Sequence, residues 1–113
     1  MLWQRPRALV QQTETVTLFI GVVEGPEDER RLVRFEGREL ASRTYSQDDE
    51  RILETLYESK DSLLVHTRIL RRTIGLRTVY ELRELSEPEL GAEFPELSQL
   101  RSPLGLKEVL TDG

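Results

Sequence analysis

The chain has 113 residues, of which 37% are hydrophobic and 33% charged, with a formal net charge of -5. That length holds one domain with a modest core and is too short for two ordinary ones. The negative balance excludes a wholly basic nucleic-acid protein, and the absence of cysteine excludes disulfides, thiolate nucleophiles, iron–sulfur clusters and cysteine-ligated zinc.

The first segment, residues 1–12, reads as an N-terminal arm. It is basic, but its only apolar stretch is Ala8-Leu9-Val10, and Gln11-Gln12 and Glu14 interrupt it, which is not the pattern of a signal peptide. No run in the chain approaches the roughly 18 apolar residues that span a bilayer, so no membrane partner is expected. Cytoplasmic residence is the expectation, and a cysteine-free chain suits a reducing compartment. Trp3 is the one aromatic of the arm, available to pack on the domain or on a partner.

Residues 13–85 read as a single α+β domain. From Thr13 to Gly25, Val16, Leu18, Phe19, Ile20, Val22 and Val23 make a long strand, in which Gly21 marks a bulge or bend. Pro26-Glu27-Asp28-Glu29 is a polar turn. Arg31–Phe35 is a second strand, Glu36-Gly37 a tight turn and Arg38–Tyr45 a third strand, so the first half is a meander. Ser46-Gln47-Asp48-Asp49 then has the form of a capping box. Ile52, Leu53, Leu56 and Tyr57 make one helical stripe and Glu50, Glu54 and Glu58 another, which predicts an amphipathic helix over 47–59.

Residues 63–85 admit two readings. Alternation in Leu63–Leu70 predicts a strand paired, across a turn at Arg71–Gly75, with a second strand over Leu76–Leu85. The order βββ-α-ββ then gives a small antiparallel sheet or barrel that resembles the OB-fold, with one central amphipathic helix. Alternatively, the three-residue spacing of Leu76, Val79, Leu82 and Leu85 gives helices, and the meander is followed by a three-helix segment that resembles a helix-turn-helix. Residues 86–113 form an acidic tail punctuated by Pro88, Pro95 and Pro103, with Leu90, Phe94, Leu97 and Leu100 spaced like one face of short helical turns. Ser102-Pro103 starts a last short helix through Leu110.

Catalytic signals are scarce. His66 is the only histidine, and Asp48, Asp49 and Glu50 lack calcium-loop spacing and suit a helix start. No phosphate loop or nucleophile elbow is present, so no metal, cofactor or catalytic residue is assigned. An enzyme would rest on His66 alone.

The strongest local signal is charge. Between His66 and Tyr80 lie Arg68, Arg71, Arg72 and Arg77 without an acid, and Tyr80 offers a stacking ring. Displayed on a hairpin or a helix over residues 66–80, they would contact RNA or DNA in a non-enzymatic binding module. The competing reading is a protein-interaction or structural subunit, docking to a partner or to itself through Trp3, Phe94, Leu97 and Leu100 while the acidic tail neutralises the arginines.

Overall fold

The structure, a computed structural model, describes residues 13–72 and 75–101. Among these residues the chain forms six antiparallel strands: β1 (Glu14–Glu24), β2 (Glu27–Asp28), β3 (Arg31–Gln47), β4 (Glu50–Ser59), β5 (Ser62–Arg71) and β6 (Arg77–Leu85). Two short helices follow, α1 (Glu87–Glu93) and α2, which starts at 95 and runs to the last described residue, 101.

The strands run β2-β1-β3-β4-β5-β6, and β6 pairs back onto β1, so the sheet closes into a ring. Two strands achieve this by changing neighbours partway. The first half of β1 pairs with β3 and its last four residues with β6; β3 pairs first with β1 and, from Arg38, with β4. A glycine stands at each change. The β1 register runs unbroken from Val23 opposite Asp28 to Ile20 opposite Arg31, which sets Gly21 against Glu29-Arg30. Gly21 has φ 122, and a Cβ there would lie 2.5 Å from the Glu29 carbonyl oxygen. At Gly37 a Cβ would collide with the carbonyl oxygen of Glu58, and a bulge between Glu39 and Ala41 follows. Glycine at both corners lets one backbone approach another where a side chain would hold it off.

The expected central helix does not exist. Residues 50–59 are β4, joined to β3 by a two-residue turn at Asp48-Asp49 and to β5 by another at Lys60-Asp61. Both turns begin in the left-handed region, with Asp48 and Lys60 each at φ 55. The α+β class, the order βββ-α-ββ and the likeness to an OB-fold are therefore corrected to a mostly antiparallel sheet with helices only after the last strand. Residues 62–71 and 77–85 are strands paired from Leu63 opposite Leu85 to Arg71 opposite Arg77, which removes the helix-turn-helix alternative. Gly37 is not a turn: it lies inside the 17-residue strand β3.

The helical stripe is misleading because β4 sits between β3 and β5 and its middle is buried on both faces, Glu54 and Leu56 on one and Thr55 on the other, so its apolar residues do not alternate. Its three glutamates occupy every second position of one face, a spacing that strand and helix share. Each meets an arginine on a neighbouring strand: Glu50 with Arg71, Glu54 with Arg43 and Glu58 with Arg38.

That face also carries the core. Leu56, Leu63, Val65 and Leu85 pack under Leu90 of α1 and Leu97 of α2, with Leu40, Ala41 and Phe94 at the margin. Burying a leucine or valine completely stabilises by about 1.5–3 kcal/mol, so the two helices supply a substantial part of the core. The start of α1 is a capping box. Ser86 Oγ accepts from the Glu89 N–H at 3.3 Å, and Glu89 Oε1 accepts from the Ser86 N–H at 2.8 Å, with Pro88 in the first turn. Salt bridges from Arg83 to Glu93 and from Arg43 to Glu96 at 3.2 Å tie the helices to the sheet. No helix among the described residues is long and apolar enough to cross a membrane.

Candidate binding face of the sheet

Strand alternation sorts the arginines predicted to form one patch onto opposite faces of the sheet. Register defines a helix face, with Leu56 opposite Val65 and Val65 opposite Arg83, and a second face, with Thr55 opposite His66 and His66 opposite Leu82. We call the second the histidine face.

Arg71 and Arg77 lie directly opposite each other on the helix face. Neither is free. Arg71 Nε donates to Glu50 Oε2 at 2.9 Å, and Arg77 Nε stands 3.9 Å from Glu24 Oε1. Asp48, Asp49 and Gly75 line the same shallow cleft as these four side chains, so carboxylates outnumber guanidinium groups there. The acids come from β1, β4 and the β3–β4 turn, not from the C-terminal tail, whose Glu87, Glu93 and Glu96 bind Arg101, Arg83 and Arg43.

Arg68 lies on the histidine face. It is exposed, has Tyr80 opposite it on β6 and Leu53 opposite it on β4, and has no ion-pair partner among the described residues. The next row toward the turns reads Thr78, Leu70, Arg51 and Ser46, which places the exposed Arg51 diagonal to Arg68. The row on the other side reads Leu82, His66, Thr55 and Ser42. Across β3–β6 these three rows contain no carboxylate; Glu39 and Glu84 stand one row further on, Asp48 and Asp49 border the opposite end, and Asp28 of β2 extends the Thr78 row through Val23. Arg72, exposed just past β5, lines a groove with Asp48, Asp49, Glu50, Arg51 and Leu70.

Three rings run along one side of this face. Tyr80 stacks on His66 with centroids 6.1 Å apart, and Phe19 of β1 meets Tyr80 at 5.7 Å. His66 is buried, and its Nε2–H donates to the Phe19 carbonyl at 2.7 Å, so the imidazole ties β5 to β1 across β6. A carbonyl only accepts, which fixes that proton on Nε2. The hydrogen bond His66 makes is to backbone, not to a carboxylate, so the arrangement is that of a structural tie. Among the described residues no three ligands gather for a metal ion.

Arg30 completes the surface. Its Nε and Nη2 donate to the two carboxylate oxygens of Asp28 at 2.9 and 2.7 Å, and its guanidinium carbon lies 4.5 Å over the Phe19 ring. The Arg30 guanidinium holds the Asp28 carboxyl below the ordinary aspartate range, and Asp28 in turn raises Arg30.

The proposed partner anchors of the tail are dispersed. Leu97 is fully buried in the protein's own core, Phe94 is half-buried against it with the Arg83 guanidinium 6.0 Å from its ring centre, and Leu100 is 47% exposed. Trp3 and the helix expected from Ser102 lie outside the described residues. Phe19, Arg30 and Arg51 are not assigned to a site from sequence; the register that brings them beside Arg68 and Tyr80 is a tertiary property that no local spacing encodes. Comparison of the chain with family models, with curated proteins and with solved structures gave no match.

Proposed function

We propose that this protein is a non-enzymatic binding module that contacts nucleic acid through the exposed end of the histidine face of β4, β5 and β6, at Arg68 and Arg51. The observation that carries this reading is the setting of Arg68: exposed, beside an aromatic ring, and within three residue rows that hold no carboxylate across β3–β6. Phosphate contact needs a guanidinium not already committed to an acid, and of the four arginines between His66 and Tyr80 only Arg68 and Arg72 meet that condition among the described residues. The overall charge of -5 is compatible with this because many of the acids are spent in pairs on the helix face and in the helices. A cytoplasmic location, to which the cysteine-free composition points, suits such a partner.

A matched pair of charge removals tests the reading. Arg68→Gln should weaken oligonucleotide binding at low salt about three- to tenfold and lower the salt slope by about one. Arg71→Gln, one row beyond Leu70 on the other face, should leave both nearly unchanged. Equal losses in the two variants, or no salt-dependent binding by the wild type, would overturn it.

The alternative, docking of a protein partner on the tail, retains the exposed Leu100 among its described anchors. Leu100→Ala would abolish such docking and leave oligonucleotide binding intact.

A further inference from the structure

The Asp28–Arg30–Phe19 arrangement goes a step beyond a phosphate contact. Arg30 is anchored three times by one carboxylate, because its backbone N–H also donates to Asp28 Oδ1 at 3.0 Å. The two side-chain bonds use Nε and Nη2, the edge a guanidinium would offer to a phosphate. One flat side rests on Phe19. The side chain also neighbours Tyr80 and remains 33% exposed, so part of the guanidinium reaches solvent. Its backbone is fixed as well, since Gly21 lets the Glu29-Arg30 segment press against β1, where a Cβ would stand 3.1 Å from the Arg30 Cα.

A guanidinium held flat, with its Nε/Nη2 edge occupied and part of its plane solvent-accessible, suits stacking better than side-on clamping of an anion. We infer that the outer face of Arg30, backed by Phe19 and held by Asp28, is a stacking plate for an unpaired nucleobase, and that the nucleic acid bound at Arg68 is therefore single-stranded. This rests on the proposed function. Phe19, which backs the plate, lies on β1, the strand that pairs with β6; its ring touches Tyr80, and Tyr80 is in turn opposite Arg68. A base on Arg30 and a phosphate on Arg68 thus belong to one strand path. In a duplex the base faces are already stacked and unavailable to such a plate.

The test uses the full chain and fluorescence anisotropy, with a labelled single strand of about twelve nucleotides, within the range one small barrel covers, and the duplex of the same sequence. The wild type should prefer the single strand. Arg30→Lys keeps the charge and loses the plane, so single-strand affinity should fall about tenfold with the salt slope unchanged. Asp28→Asn, which frees the guanidinium, should weaken single-strand binding in the same direction, and both variants should bind duplex as the wild type does. If Arg30→Lys binds the single strand like the wild type while Arg68→Gln is impaired, the plate is overturned and the proposed function stands. Equal affinity of the wild type for single strand and duplex also overturns the plate alone. Failure of the wild type to bind either nucleic acid overturns both.

Discussion

Arg71 and Arg77 face each other across β5 and β6, two like charges in directly opposite positions. Such a pairing is repulsive unless carboxylates intervene. Glu50 of β4 takes Arg71, and Glu24 of β1 lies at the other arginine, so the closing end of the ring is a pair of arginines flanked by an acid on each side, drawn from four strands. Removing one acid uncovers the repulsion. Glu50→Gln should lower stability by about 1 kcal/mol, the scale of a partly exposed pair plus one like-charge contact. Urea melts check this, and the deficit should shrink in high salt, where the arginines are screened.

The helices after β6 are part of the core rather than an appendage. Leu97→Ala and Leu90→Ala should each cost about 2–4 kcal/mol, because each removes a fully buried side chain from a packed site. Leu100→Ala, at an exposed position of the same helix as Leu97, should change stability by no more than about 0.5 kcal/mol. Thermal melts of the three variants separate the two faces of α2.

The two corner glycines make a steric prediction. Alanine at Gly21 or Gly37 drives a methyl group into a backbone carbonyl oxygen, of Glu29 in one case and Glu58 in the other, neither of which is the movable end of a side chain. Each should destabilise by more than about 2 kcal/mol, beyond the usual range for a single surface methyl. Gly25→Ala meets open space and carries only the strain of φ 58, so it should cost about 1 kcal/mol. Chemical denaturation of the three variants ranks them.

Acid should loosen the helices first through α1. The backbone N–H of Ser86 holds the Glu89 carboxyl below the ordinary glutamate range, and the Arg101 guanidinium does the same to Glu87. A carboxyl with a lowered pKa in the folded protein stabilises above its unfolded value and loses that stabilisation as pH falls through the folded one. The contribution should be complete at neutral pH and decline below about pH 4.3. The melting temperature of the Glu87→Gln, Glu89→Gln double variant should sit below that of the wild type at pH 7 and converge with it in strong acid.

How far the sequence discloses this molecule varies along it. The run of β-branched residues from Val16 to Val23 marks β1, and Gly21 marks its bend, because both signals are local. The helix expected over 47–59 fails for a physical reason: Glu50, Glu54 and Glu58 repeat every four residues whether they line a helix or take alternate places on a strand face. What decides between the two is their partners Arg71, Arg43 and Arg38, which lie up to 21 residues away and are brought in by register. The capping-box pattern occurs twice, at Ser46 and at Ser86. Only the second contains a proline, Pro88, which a paired strand could not accommodate and a first helical turn can. The arginine patch was legible as composition. Its division between faces was not, since Arg68 and Arg71 differ in parity, and parity carries meaning only once those residues are known to be a strand.

On the proposed function, binding belongs to the histidine face and not to the paired arginines behind it. Backbone and arginine side-chain NMR shifts, followed while a single-stranded oligonucleotide is titrated at low salt, test it most directly. Perturbations centred on Arg68, Tyr80, Arg30 and Arg51 are expected. Shifts centred on Arg71, Arg77 and Glu50, or none along β5 and β6, would contradict it.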